Sequence, residues 1–235
     1  MTHPPGLIVL PCQEQARYHR FTYSLGNLEK PAGTHIEFGI GMSVTDNLNT
    51  VIREHLRDED EWVWVVGDDH YFDPNTLMKL LERDEDIIAP LCTYRMPPYG
   101  LVHYQDRIMD TEVFNQVQFS DLPTDDEPFE VERSGSLMLI RRNVLEAIGD
   151  PWYGHTHWRI SEDIYFCEQA REHGFRVMVD PEVTVAHIAN LFAYPQKRDG
   201  VWGLVLDYGH GYSAFFPGGL DQNEAAMGKL EAAAA

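Results

Sequence analysis

Asp68, Asp69 and His70 come directly after Trp62–Val66, an unbroken run of β-branched and aromatic residues. Such a run, bounded by charge at Glu61 and by Gly67, predicts a strand buried on both faces. A buried parallel strand delivers the residues at its C-terminal end to the crevice where open α/β sheets bind ligands. Two adjacent carboxylates at that place repel each other, and a divalent cation coordinated by their oxygens offsets the repulsion. The competing reading is an acidic turn ahead of a helix, with Asp73 as N-cap and Pro74 in the first helical position. It accounts for Asp73 and leaves Asp68 and Asp69, at the mouth of the strand, unexplained.

Other residues of suitable chemistry carry two readings each. Glu162 and Asp163 open a helix after Ser161, where carboxylates stabilise the dipole by about 0.3–1 kcal/mol with no further role. Asp46 and Asn49 are either early-helix polar residues or groups facing a base or ribose. Arg95 is either a diphosphate contact or a surface arginine. Gly135 and Ser136 stand where a strand begins, a place where glycine permits close approach of backbone to a ligand. Pro151–Ile160 holds Trp152, Tyr153, His155, His157 and Trp158, either a wall for a sugar or base, to which Trp158 belongs, or an aromatic surface cluster. His187 lies in a short apolar strand, where a lone histidine is commonly a core residue. Pro11 and Gln13 end the first strand, where many α/β folds hold a nucleotide and where an ordinary loop also fits.

The elements that must position these residues alternate between strand and helix. Strands are expected at Leu7–Leu10, His35–Ile40, Trp62–Val66, Ile87–Leu91, Leu137–Ile140, Arg176–Val179 and Val183–Ile188, with weak signals between Leu101 and Phe119. Helices are expected over Gln15–Leu28, over Asp46–Leu56 with Val44, Leu48, Val51, Ile52 and Leu56 on one face, and over Asn75–Arg83. Two more are expected, one from Arg141 to Gly149 and one from Ser161 to Gly174. Asp121–Glu132, acidic with two prolines, reads as a loop. Gly39-Ile40-Gly41-Met42 lacks the third glycine of a dinucleotide fingerprint.

The chain has 235 residues, 43% hydrophobic, and a formal net charge of −20. That charge disfavours an extended phosphate-tracking surface and is compatible with a small anion held through a metal. Arg141, Arg142, Lys197 and Arg198 are the residues from which a local basic groove would be built. Cys12, Cys92 and Cys167 are odd in number and far apart, and read as reduced, buried thiols of a cytosolic protein. No apolar run approaches the ~20 residues of a membrane span. Met1–Gly6 lacks the basic and apolar regions of a signal peptide.

The order of these pieces resembles the GT-A fold glycosyltransferases, and within them the inverting family-two type. The matching residues are Pro11, Val44-Thr45-Asp46-Asn47-Leu48-Asn49, Gly67-Asp68-Asp69-His70, Gly135 to Arg142, Pro151-Trp152-Tyr153, Ser161-Glu162-Asp163 and Val185-Ala186-His187-Ile188, covering Leu7 to Ala189. The resemblance implies an α/β GT-A domain over 1–190, with a mostly parallel mixed central sheet flanked by helices. A C-terminal aromatic and Gly-rich extension or lid would cover 191–229, with 230–235 a tail outside the fold. It implies transfer of a sugar from a nucleotide-diphosphate donor, UDP above all, to an acceptor hydroxyl with inversion. In its Asp-x-Asp region Asp69 would hold a Mn²⁺ or Mg²⁺ ion, Asp68 would take the ribose or a second metal contact, and His187 would complete the metal site. Asp163 would be the general base with Glu162 beside it, and Pro11, Gln13, Asp46 and Asn49 would line the nucleotide pocket. Two departures are Gly67, where the family often has aspartate, and Leu48, where arginine is commoner.

Two other readings compete. A metal-dependent phosphohydrolase would use Asp68-Asp69-His70 and His187, and a catalytically degenerate nucleotide-sugar binding module would be the consequence of Gly67. The chain looks like stand-alone phage or bacterial enzymes, acting in the cytosol of the bacterium or infected host. Saccharides, lipid-linked groups, proteins and modified DNA bases all stand as acceptors.

Overall fold

The computed structural model describes residues 3–12, 18–96, 99–107, 114–135, 137–155, 161–189, 191–209 and 211–217. These form two compact units: one comprises Met1–Tyr94 and Gly100–Ile188, the other Arg95–Tyr99 and Ala189–Ala235.

In chain order the first unit contains β1 (Leu7–Cys12), α1 (His19–Asn27), β2 (His35–Ile40), α2 (Val44–His55), β3 (Trp62–Val65), β4 (His70–Tyr71), α3 (Thr76–Glu82) and β5 (Ile87–Cys92). It continues with β6 (His103–Arg107), β7 (Phe114–Gln116), β8 (Phe129–Val131), β9 (Arg133–Ser134), β10 (Leu139–Arg141), α4 (Arg142–Ile148), α5 (Glu162–Glu172) and β11 (Val177–His187). The main sheet runs β2-β1-β3-β10-β5-β11-β4, with β8 added beside β11. β2, β1 and β3 are parallel, β10 lies antiparallel between β3 and β5, and β11 is parallel to β5.

The period of two along each strand divides the core into two layers. Leu7, Val9, Val63 and Val65 face one layer, filled by Leu48, Val51 and Ile52 of α2, Val144 and Leu145 of α4, and Phe166, Cys167 and Ala170 of α5. Ile8, Leu10, Trp62, Trp64 and Val66 face the other, filled by Phe21 of α1 and Leu77, Leu80 and Leu81 of α3. Burial on both faces is the reason β1 and β3 read as continuous apolar runs. A mixed, mostly parallel sheet with helices on both sides is the α/β architecture expected from the alternating pattern.

Several local expectations are corrected. β1 continues past Leu10 through Pro11 and Cys12, paired with Gly39 and Ile40 of β2. Val44, the first residue of α2, is exposed and does not share the buried face of Leu48, Val51 and Ile52. Asp73 does not cap α3: the helix starts at Thr76, and the Asp73 carbonyl accepts from the Thr76 amide at 3.1 Å. The strand expected at Leu137–Ile140 is Leu139–Arg141. β8 lies within the segment read as a loop. The two strands expected around Asp180-Pro181 are one strand, whose register against β5 shifts between Asp180 and Thr184. Arg83 fixes that irregularity, donating to the fully buried Asp180 carboxylate at 2.8 and 3.2 Å and to Glu182 at 2.6 Å. A bulge bends and re-aims the strand beyond it, here the segment ending in His187.

In the second unit β12 (Phe192–Arg198), β13 (Val201–Gly209) and β14 (Tyr212–Pro217) form an antiparallel three-stranded sheet. Asp199 and Gly200 join β12 to β13 with φ of 47° and 83°, the two positive values of a type I′ hairpin turn. Arg198 lies over the Phe215 ring at 4.8 Å.

Candidate metal centre and base

The Asp-Asp-His segment is positioned by three contacts. β3 carries the chain to the carboxyl edge of the sheet, and β4 then pairs antiparallel with the end of β11, so that His70 stands opposite His187. Ser24 of α1, itself buried, accepts from the Phe72 amide at 3.0 Å and donates to the Phe72 carbonyl at 2.8 Å. The Ile188 amide donates to the Asp69 carbonyl at 2.8 Å.

These contacts bring four donor side chains together. His187 Nε2 lies 3.3 Å from Asp69 Oδ2, and His70 Nδ1 lies 3.2 Å from Asp69 Oδ1. The two imidazoles stack with centroids 4.4 Å apart and an interplanar angle of 21°. Cys92, at the end of β5, completes a group of ligand atoms with His70 and His187 that all lie within 4.8 Å of one another. Asp68 is buried beside them in sequence, at 5% exposure. Burial by itself would push the Asp69 carboxyl up, but hydrogen bonds with His187 and His70 outweigh it and hold the group well below the usual carboxylate range.

The donor set fits a divalent cation. His187 Nδ1 lies 3.1 Å from the Thr93 carbonyl, which only accepts, so Nδ1 carries the proton. In the neutral ring Nε2 then presents its lone pair to the Asp69 carboxylate, and a proton or a cation must lie between them. A backbone acceptor behind a ligating histidine is the usual means of fixing its tautomer. Two ligands about 2.1 Å from one ion lie about 3.0 Å apart at octahedral angles and about 3.4 Å apart at tetrahedral ones. The observed 3.3 Å falls in that interval.

Gly67 is explained by His70. A Cβ built on Gly67 would stand 2.9 Å from His70 Nδ1 and 3.0 Å from Asp69 Oδ1. Any side chain there would displace the ring and the carboxylate, so an aspartate at 67 and His70 in this rotamer exclude each other. The transferase resemblance gives His70 no ligand role, and it is the His70 ring that takes up the space left at Gly67.

α5, joined to the start of β11 through a short turn, carries Glu162 and Asp163 in its first turn. Asp163 sits in that turn, and its amide bonds Ser161 Oγ. Burial first, then the neighbouring Glu162, push its carboxyl up to about 7, with the Ser161 hydroxyl opposing. Cys167, one turn on, contacts the Ser134 carbonyl at 3.7 Å and so places Gly135 beside α5. A Cβ on Gly135 would meet its nearest neighbour, the Val102 carbonyl, at 3.6 Å, so packing does not demand glycine there.

Among the remaining predicted residues, the Asn49 amide donates to the Tyr153 carbonyl at 2.8 Å and accepts from the Tyr153 amide at 3.0 Å, a clamp that commits both its polar atoms to the fold. Asp46 accepts from the Ser43 hydroxyl at 2.7 Å in a helix-capping pair, and is exposed. Pro11 is half-buried in β1. Arg95 belongs to the second unit. Gln13, Ser136 and Trp158 lie outside the described residues. Arg141 and Arg142 are tied into the fold, Arg141 to Asp84 and the Leu81 carbonyl, Arg142 to Glu146 and the carbonyls of Arg57, Asp58 and Asp60. Their guanidinium groups are engaged by acids and carbonyls of the chain itself.

No protein-family profile matches the chain. No curated protein matches it either. Solved structures do. It is similar to A197 from STIV at a TM-score of 0.54 and 13% identity, over 91% of this chain and 94% of that one. It is also similar to GalNAc-T7, solved with UDP, GalNAc and Mn²⁺, at a TM-score of 0.56 and 10% identity. That match covers 84% of this chain and 45% of the GalNAc-T7 chain, so the chain spans under half the length of that relative. At such identities the likeness is one of fold, and the fold is GT-A.

Proposed function

We propose that the protein is a divalent-cation-dependent glycosyltransferase that moves a sugar from a nucleoside-diphosphate donor, UDP foremost, to an acceptor hydroxyl with inversion. The observation that carries the reading is the meeting of Asp69 and His187 at the carboxyl edge of the sheet, with the His187 tautomer held by Thr93. A fold likeness to a protein solved with UDP, GalNAc and Mn²⁺ supports it.

Asp69, His187 and His70 would hold the cation, Mn²⁺ or Mg²⁺, with Asp68 at the ribose or as a further ligand. When bound, the ion supplies neutralisation of the diphosphate leaving group in a chain of net charge −20. Asp163 would take the proton of the acceptor hydroxyl as it attacks. Its raised pKa suits that task, because a base is most effective when its pKa lies near the working pH. Glu162 would stand beside the acceptor, and the backbone at Gly135, with Ser136 and Trp158, would line its pocket. Pro11, Gln13 and Asp46 are the donor-side residues of this reading.

Calorimetric titration of UDP and a panel of nucleotide sugars, with and without Mn²⁺, tests the reading in wild type and Asp69→Ala. Mn²⁺-dependent binding that the variant loses is expected. Absence of binding to every nucleotide in wild type would refute it.

A further inference from the structure

Sugar transfer as proposed uses oxygen and imidazole donors and leaves Cys92 without a role. Cys92 is 2% exposed, at the carboxyl end of β5, and its partner in the ladder is Val185, two residues before His187. Its sulfur belongs to the same group of mutually close ligand atoms as His70 and His187. Asp69 Oδ2 lies 3.3 Å from His187 Nε2, and Asp69 Oδ1 lies 3.2 Å from His70 Nδ1, whose proton the Gly67 carbonyl at 3.2 Å fixes, so that His70 offers Nε2 as its ligating atom. The two imidazoles and the thiol form the mutually close group, and the Asp69 carboxylate, in contact with both imidazoles, supplies a fourth donor once it is drawn toward the thiol, giving the number and kind that fill a tetrahedral site. Mg²⁺ and Mn²⁺ favour oxygen ligands, whereas a thiolate selects softer ions. The backbone that carries the sulfur is itself fixed, since the Cys92 amide donates to Nε2 of buried His103 at 3.3 Å. His103 Nδ1 in turn lies 3.1 Å from Ser134 Oγ.

We propose that the cation site has two modes: Zn²⁺ is captured through Cys92 together with His70, His187 and Asp69, and in that state the site is closed to the donor diphosphate. The thiol loses its proton to solvent as the sulfur–zinc bond forms, with no change of oxidation state. Four protein ligands leave no open position, so Zn²⁺ inhibits, whereas an oxygen-preferring ion leaves the thiol aside and keeps coordination places for phosphate oxygens. The inhibitory consequence rests on the transferase reading; the ligation does not.

Co²⁺ added to the metal-free full-length chain reads the ligation directly, because a bound thiolate produces a sulfur-to-cobalt charge-transfer absorption. Wild type shows that band and Cys92→Ser does not. Zn²⁺ affinity, measured by competition with a chromophoric chelator, falls at least about tenfold in Cys92→Ser, since even an outer-shell partner is worth 10–100-fold. Mn²⁺ affinity changes less than about twofold. A wild-type cobalt complex without the band overturns the proposal without depending on any variant, as does a band that survives in Cys92→Ser. In the nucleotide titration Zn²⁺ displaces Mn²⁺ and abolishes UDP binding; Zn²⁺ that supports UDP binding as Mn²⁺ does overturns the closed mode. UDP that fails to bind with Mn²⁺ refutes the transferase reading and leaves the cobalt result standing.

Discussion

Asp163→Asn should abolish turnover and stabilise the protein, and the stabilisation should depend on pH in a defined sense. The carboxyl moves from its ordinary 3.8 to about 7 on folding, chiefly because burial disfavours its charge and next because Glu162 lies beside it. The native state therefore binds a proton more tightly than the unfolded state. Between pH ~4 and ~7 the unfolded chain releases that proton first, so folding becomes less favourable as pH rises. About three pKa units at 1.36 kcal/mol each set a ceiling near ~4 kcal/mol. Asp163 keeps part of its surface in solvent, so about half of that is expected. Loss of a first-turn carboxylate works the other way by about 0.3–1 kcal/mol, too little to reverse the sign. A net gain of ~1–2 kcal/mol corresponds to a rise of about 2–8 °C in Tm for a chain of this size. Thermal melts of the two proteins from pH 4 to 9 check it. The curves should coincide near pH 4, separate through neutrality and run parallel above pH ~8. A gap independent of pH, or a wild type more stable at pH 8, would show that Asp163 is not held in its neutral form. The same group predicts kcat/KM of wild type rising with pH to a plateau, half-maximal near 7.

Gly67→Ala places a Cβ 2.9 Å from His70 Nδ1 and 3.0 Å from Asp69 Oδ1. We expect Mn²⁺ affinity to fall by about 10–100-fold by calorimetry, comparable to losing a partner that orients a ligand; unchanged affinity would mean that His70 is no part of the centre. Asn49→Ala removes two hydrogen bonds to the Tyr153 backbone and leaves its buried amide and carbonyl unpaired. Stability should drop by about 2–4 kcal/mol in chemical denaturation, with UDP affinity of the folded protein changed less than threefold; a large loss of affinity at full stability would return Asn49 to the nucleotide pocket.

The layers of the fold were legible because they depend on local pattern. β1, β3 and the apolar faces of α2, α3 and α5 are written as continuous or periodic hydrophobic runs, and the structure divides them between two core layers by alternation alone. What escaped the pattern was decided by partners distant in the chain. β4 is two residues long and exists because the end of β11 pairs with it. The bulge in β11 needs Arg83, and from sequence Asp180-Pro181 reads as a turn. The Asp199-Gly200 turn is a two-residue hairpin signal inside a segment whose glycine and aromatic content alone suggests no strand pairing.

The site divides along the same line. Residue type and strand-end position single out Asp68, Asp69 and His187, but type cannot separate a ligand from a clamp. Asn49 has the chemistry to meet a ribose, yet its side-chain amide is engaged at both polar atoms by the Tyr153 backbone. His70 carries the opposite lesson. Its neighbour Gly67 looked like a lost carboxylate, and a missing ligand argues for a degenerate site. The space that glycine leaves is occupied by the His70 ring. On the proposed reading the departure is an exchange of one donor for another, oxygen for nitrogen, and with Cys92 alongside it would shift the centre toward softer cations rather than dismantle it.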